Sequence, residues 1–401
     1  MIAEIKIKNM FSFKDEAVLS FEADKSKDME TYHVVQLAED VRLLKVAVVY
    51  GANAAGKSNL IKAYDFIKIF ISHTPLNKAE LIQVYPFLLD GSSRNQVSEF
   101  SITFYITNGN RVVRYVYAVA LTQSQIVSES LVYYPHQQPV NLFERLTENK
   151  VSTIKFSRKL NIGIAAKELI TLKCLPNMSV FAAYMQVNTY IDEIETVLQY
   201  LTNQMMPAVL PTTALNKYAA EAIKQEDARD YILKYLQEAD FNVSNISIKE
   251  QNTPNGLINH TIYQHKVTSS KEEHGFYDFP ELFESDGTVR TFGLAASMQK
   301  LISHNSFLAV DDIESSLHPN LIEFIIERFL QESERAQLLL TTHYDGLLGD
   351  GLLRNDNIWF TEKNKDGSST LYPLTDFKGL NRLGSLSDAY KLGKLGAVPN
   401  L

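Results

Sequence analysis

One cysteine, Cys174, stands among 401 residues. No internal disulfide framework can form, and Cys/His spacing of the metal-ligand kind is missing. Such a chain fits a reducing compartment, so a cytoplasmic location is expected. No stretch approaches 18 uninterrupted apolar residues, so no membrane span is expected. The start, MIAEIKIKNMFSF, alternates polar and apolar residues and lacks the apolar core of a secretion signal. Basic residues are outnumbered, 39 Lys and Arg against 47 Asp and Glu, for a formal charge of -8. Nothing global advertises nucleic acid, and any such contact would need a local patch. Sustained heptads, repeats and low-complexity tracts are missing too, which argues against a long coiled coil or a solenoid.

Much is present. Hydrophobic residues make up 45% of the chain. The length allows two or three lobes with a sizeable core. The most informative stretch is 43–63, LLKVAVVYGANAAGKSNLIKA: an apolar run, a loop reading G-x-x-x-x-G-K-S over 51–58, then a helix. Val46–Tyr50 reads as a buried parallel strand. Leu60, Tyr64, Ile67 and Ile71 recur at helical spacing. Gly51 and Gly56 let the backbone wrap a phosphate, while N–H groups from Asn53, Ala54 and Ala55 to Asn59, at the helix start, point at the anion. Lys57 would reach the β- and γ-phosphates, and Ser58 would hold Mg²⁺.

Around this loop the chain reads as an interrupted α/β core. Ile5 and Ile7, then Val18 and Phe21, mark short strands about a turn at 12–15. Phe100, Ile102, Phe104 and Ile106 alternate, Asn108-Gly109 offers a hairpin turn, and Val113 to Val119 alternate again. This antiparallel lobe continues to Tyr134. Residues 165–239 are helical, with breaks at Pro207 and Pro211, and 242–270 return to short strands. The α/β rhythm resumes after Phe283. Phe307–Val310 and 338–342 read as buried strands, and 321–330 as a helix after Pro319.

Three further motifs carry chemistry. FLAV runs into Asp311-Asp312, an apolar strand ending in acids. The first would hold Mg²⁺ through water and the second would orient and deprotonate a water. ESSLHP follows directly downstream of the acids, a polar turn that could approach a second nucleotide, cap the helix at Pro319 through Ser316, or do both. LLLTTH ends at His343, which can donate to a γ-phosphate or to the attacking water. A weaker segment, Ser285, Gly287 and Thr288 in ESDGTVRTFGLAASM, opens a helix with Phe292, Ala295 and Ala296 on one side. Its start can bind an anion. No strand is expected before it, so it is not a second P-loop.

The order GANAAGKS, long insertion, SDGT, FLAVDD, SSLHP, TTH resembles the ABC-type ATPase heads. It is most similar to the AAA-family ATPases of the OLD/SMC-like group found in bacterial anti-phage and abortive-infection systems. The likeness covers 1–63, 283–344 and the tail, where WFTEKNKDGSSTLYPLTDF and YKLGKLGAVP also resemble that group. It implies ATP and Mg²⁺ as cofactors and a head-to-head homodimer. Ser285, Gly287 and Thr288 of one copy would close on the γ-phosphate held by the other copy's P-loop. SSLHP would be the D-loop and His343 the switch histidine. A Q-loop glutamine is also implied; Gln83 is a candidate that its surroundings do not mark.

Two departures qualify the resemblance. The family usually has Asp-Glu where this chain has Asp311-Asp312. The shorter base sits about 1 Å farther from the water, and such a displacement can cost on the order of 10²-fold. Glu314 is the acid that could substitute. The chain also lacks coiled-coil arms, and the 58 residues after His343 are too few for a Toprim nuclease and hold no D-x-D. No nuclease in cis is therefore expected.

The expected architecture is an ABC-type P-loop head in two parts, 1–80 and 280–401, around an inserted lobe at 81–279. The expected function is a dimeric sensor or scaffold ATPase controlling a separate effector, a nuclease or toxin. The alternatives are an SMC-like DNA-repair or DNA-end ATPase, and a nucleotide-dependent binding module with little turnover. Lys378, Arg382, Lys391 and Lys394 form a loose basic cluster that a solvated helix face would also explain.

Overall fold

The computed structural model describes residues 1–109, 111–136, 138–253, 256–267, 275–349, 351–380 and 384–398. Arg382 of the basic cluster lies outside them. The strands are β1 (Ile2–Lys8), β2 (Ala17–Ser20), β3 (Val34–Ala38), β4 (Val41–Leu44), β5 (Val46–Tyr50), β6 (Ser98–Asn108), β7 (Arg111–Leu121), β8 (Ile126–Tyr134), β9 (Val140–Glu148), β10 (Val151–Phe156), β11 (Asn245–Thr253), β12 (Gly256–Lys266), β13 (Phe276–Pro280), β14 (Phe307–Val310), β15 (Gln337–Thr342), β16 (Ile358–Lys363) and β17 (Ser369–Pro373).

The chain forms two compact units: 1–208 with 305–312 and 334–401, and 209–304 with 313–333. The stretch 81–279 contributes to both.

The first unit holds two main sheets. A five-stranded sheet has the order β14-β15-β5-β16-β17. Its first four strands are parallel, and β17 pairs antiparallel with β16. Every residue of β5, β14 and β15 is buried. Parallel strands covered on both faces read as continuous apolar runs, which is why VAVVY, FLAV and LLL were legible. The helix Lys57–Phe70 follows β5 and buries Leu60, Ile61, Ala63, Tyr64 and Ile67.

The other sheet is antiparallel, ordered β10-β9-β8-β7-β6-β1-β2. The inserted strands thus extend the sheet begun by the first 20 residues. The β6–β7 hairpin turns at Gly109, whose φ is +57°. The antiparallel run does not end at Tyr134: β9 and β10 add two strands, and their many exposed positions weakened the apolar signal. A buried glutamine ties the sheets together. Gln337 at the start of β15 donates to the carbonyls of Ile2 (2.8 Å) and Leu44 (3.0 Å) and accepts from the Ile2 amide (2.6 Å). Inside the antiparallel sheet Arg145 and Glu129, both with fully buried side chains, pair at 3.2 Å. Arg145 also donates to the carbonyls of Met178, Leu175 and Pro176, while Glu129 accepts from the Val180 amide and Tyr117.

In the second unit, β11, β12 and β13 form an antiparallel sheet, beside helices Leu215–Ala222, Glu226–Glu238, Asp286–Ser303 and Pro319–Glu332. The helix Asp286–Ser303 is buried all round from Arg290 to Met298, not on one side only. Gly293 permits this, because a Cβ there would lie 2.3 Å from Leu215 Cβ. Arg328 stacks over Tyr235 (4.7 Å), bonds Glu332 (2.8 Å) and also pairs with Glu238.

Two local expectations are corrected here. A strand, β13, does precede the Ser285 segment, separated from it by the 3-10 turn Glu281–Phe283. It is an exposed edge strand and so carried no apolar run. The helix Pro319–Glu332 is capped by His318, whose Nδ1 accepts from the Asn320 amide at 3.3 Å. Pro319 is the first helical residue, which makes its neighbour the cap. Ser316 instead occupies a left-handed turn, φ +62°.

Candidate functional site

Parallel strands deliver their following loops to one edge, and ligands of open α/β sheets bind there. At that edge in the first unit lie the loop after β5 (51–56), Asp311-Asp312 after β14, and His343 after β15.

The loop after β5 is shaped by backbone demands. Ala54 has φ +61° and Gly56 φ +122°, and such alternation turns successive N–H groups inward as an anion cradle. Gly56 has a second reason to be glycine. A Cβ there would come within 2.4 Å of Ser369 Oγ and 3.2 Å of Ser12 Oγ. Those serines brace the loop: Ser369 Oγ donates to Ser12 Oγ (2.8 Å), and so does Asn59 Nδ2 (2.8 Å), while the Ser369 amide donates to the Ser12 carbonyl (2.7 Å). Gly51 packs against β16, where a Cβ would meet Thr361 Oγ1 at 2.4 Å and its carbonyl at 2.6 Å. Ser58 and Asn59 are half-buried in the first helical turn, and Asn53 and Ala54 are exposed at the loop tip.

Lys57 is buried. Its ammonium donates to the carbonyls of Gly51 (2.9 Å) and Ala52 (3.4 Å) and lies 3.1 Å from His343 Nε2. His343 Nε2 is also 3.7 Å from Asp312 Oδ1. Asp311 is buried, and its Oδ1 accepts from Thr341 Oγ1 at 2.7 Å. The same hydroxyl oxygen accepts from the Asp312 amide at 2.8 Å. Asp312 has φ +44°, a left-handed conformation that aspartate tolerates better than most residues. The turn aims consecutive carboxylates differently: Asp311 back at β15, Asp312 toward His343.

A third support comes from downstream. Asp345 Oδ2 accepts from Lys391 Nζ (2.8 Å) and Ser387 Oγ (2.9 Å). Burial pushes this carboxyl up, but the bonds from Lys391 and Ser387 outweigh burial and hold it below its ordinary value.

The structure therefore brings Gly51, Gly56, Lys57, Ser58, Asp311, Asp312 and His343 to one sheet edge. Ser285, Gly287, Thr288 and Glu314 belong to the second unit. Within it, Ser285 Oγ caps the helix by accepting from the Thr288 amide at 3.0 Å, and a Cβ on Gly287 would lie 3.2 Å from the Ser316 carbonyl. Sequence reading missed Thr341, Ser12, Ser369 and Thr361. Their only signal was polar residues beside apolar runs.

Residues 46–349 match the model of a protein family described as "AAA domain, putative AbiEii toxin, Type IV TA system". The chain belongs to that family. It is thus an AAA-family domain of α/β P-loop architecture. No curated protein matches the chain. Solved structures similar to it include the SMC head domain from Thermotoga maritima, at 13% identity and a TM-score of 0.43, over 93% of this chain and 98% of that one. Another is an Smc head with an extended coiled coil, bound to the C-terminal domain of ScpA, from Pyrococcus furiosus, at 12% identity and a TM-score of 0.45, over 98% of each chain. Among the described residues, no helix of this AAA-family chain is long and apolar enough to cross a membrane.

Proposed function

We propose that this AAA-family head binds ATP with Mg²⁺, hydrolyses it slowly, and uses it to clasp two copies of the chain head to head. One observation carries the reading: a left-handed glycine loop, a buried lysine, two acids and a histidine share one edge of a parallel sheet. The loop fits phosphate, since Gly51 and Gly56 admit no Cβ and the positive φ of Ala54 and Gly56 turns backbone N–H groups inward.

In this reading Lys57 holds the β- and γ-phosphates. Ser58 and Asp311 are the residues that would hold Mg²⁺, which supplies charge neutralisation of the phosphate oxygens. Asp312 accepts the proton of the attacking water, and His343 donates to the phosphoryl oxygen. Ser285, Gly287 and Thr288 of a second copy complete the site. Glu314 is the second acid available for Asp312's task.

The chain's biological role is then that of a nucleotide-dependent sensor or scaffold in anti-phage defence, controlling a separate nuclease or toxin in the cytoplasm. The family's description, which names a toxin–antitoxin system, supports a chain that works with another component.

Phosphate release tests the chemistry. Asp312→Glu is expected to raise turnover and Lys57→Ala to abolish it. Unchanged or lower turnover in Asp312→Glu would count against Asp312 as a shortened base. Intact hydrolysis in Glu314→Gln would remove Glu314 from the mechanism.

A further inference from the structure

We propose that the C-terminal segment 386–398 is a positioning element of the nucleotide site, fixing both the loop that carries His343 and the strand end that enters the P-loop. The inference rests on the ATPase reading above, but its geometry can be tested without nucleotide.

The helix Leu386–Lys391 grips one carboxylate at two points. Ser387 and Lys391 are four residues apart and so share a face, and both donate to Asp345 Oδ2. Asp345 lies two residues beyond His343 and opens the 3-10 turn Asp345–Leu348. The grip therefore fixes the loop immediately after the histidine.

The same helix reaches the P-loop strand. Tyr390 is buried, and its ring centre lies 6.0 Å from Tyr50 and 5.7 Å from Phe360 on β16. Tyr50 is the last residue before Gly51. One short helix thus touches the outgoing end of β5, the middle of its neighbour β16, and the loop leaving a third strand, β15.

The segment is itself locked. Ser385 caps the helix, accepting from the Asp388 amide at 3.1 Å. Its end carries the paired bonds of a left-handed glycine stop: the Gly393 amide to the Tyr390 carbonyl (2.8 Å) and the Lys394 amide to the Ala389 carbonyl (2.9 Å), with Gly393 at φ +71°. The chain then folds back. Tyr390 Oη donates to the Ala397 carbonyl (3.1 Å) and Tyr372 Oη to the Leu395 carbonyl (3.1 Å). Gly396 permits this return, because a Cβ there would lie 2.5 Å from Tyr372 Oη. The end of the segment also borders the loop after β5: Ala397 and Val398 line one cavity with Ala52, Asn53 and Ala55, while the helix itself acts through Asp345 and Tyr50.

Lys391 is exposed, and an isolated surface pair adds little to stability. That separates positioning from support. The experiment records ring resonances of the full chain labelled with ¹³C-histidine, with His343 assigned by its loss in His343→Gln. Asp345→Asn and Lys391→Met are expected to move the His343 resonance without lowering the melting temperature. Lys394→Met, from the same tail, is expected to leave it in place. In phosphate release, Asp345→Asn and Lys391→Met are expected to lower kcat about tenfold with KM for ATP kept, since a displaced catalytic group costs rate before binding. Lys391→Arg should restore it. An unmoved His343 resonance in both variants, or an equal shift in Lys394→Met, overturns the inference. A moved resonance in a protein that hydrolyses no ATP would uphold the positioning and defeat the ATPase reading alone.

Discussion

Thr341→Val separates the hydroxyl that holds the two acids from the volume that holds the strand. Thr341 is fully buried on β15, and its Oγ1 both donates to Asp311 and accepts from the Asp312 amide. Valine keeps the shape and loses both bonds. A hydrogen bond to a charged group contributes about 1.5–3 kcal/mol, and an orphaned buried donor costs about 1–3 kcal/mol. Together the loss is about 3–5 kcal/mol. At roughly 2–4 °C per kcal/mol for a domain of this size, melting of the first unit should fall by roughly 10 °C. The control is Thr341→Ser, which keeps both bonds and gives up one methyl group, about 1 kcal/mol. Thermal unfolding followed by circular dichroism gives the comparison. ATP turnover should fall with it, because Asp312 sits at φ +44° and the Thr341 bond helps to keep it there. If Thr341→Val melts with Thr341→Ser, the hydroxyl is not what orders the acids.

Three further outcomes follow from the packing. Gly51→Ala forces a Cβ to 2.4–2.6 Å from Thr361; overpacking of this kind costs about 1–3 kcal/mol, and a fluorescent ATP analogue should bind weakly or not at all. Burial holds His33 down at about 4 from 6.5, against the opposing bond with Asn357. The unfolded chain therefore takes up a proton first, so stability falls as pH drops from about 6.5 to about 4, by about 3 kcal/mol; urea unfolding across that range should show the slope in the parent and lose it in His33→Gln. Arg145→Met strands the buried Glu129 carboxylate, for which about 3–5 kcal/mol is expected; Arg145→Met with Glu129→Leu should recover most of it, and no recovery in chemical denaturation would refute the pairing.

The P-loop was legible because its geometry is encoded locally. Gly51 and Gly56 stand at a fixed spacing between an apolar run and a helical face, and nothing distant is needed to read them. The ends of β14 and β15 were legible for a related reason: parallel strands buried on both faces leave unbroken apolar runs that stop at polar residues. What was not legible is what braces the site. Ser12 and Ser369 meet Gly56 from opposite ends of the chain, Thr341 serves Asp311 from 30 residues away, and Tyr390 packs on Tyr50 from 340 away. Such contacts carry no periodicity. The exposed edge strands β10 and β13 were missed because they bury too little to leave an alternating signal. The position of Gln337, a polar residue at the head of an apolar strand, gave no hint that it joins two sheets.

The most direct test of the nucleotide clasp is molar mass by light scattering, on the parent and on Lys57→Ala, each with and without ATP and Mg²⁺. A clasp predicts that the parent alone shifts from one chain to two when ATP is added, and that Lys57→Ala stays at one. Masses that ignore ATP in both proteins, or that rise equally in both, would contradict it.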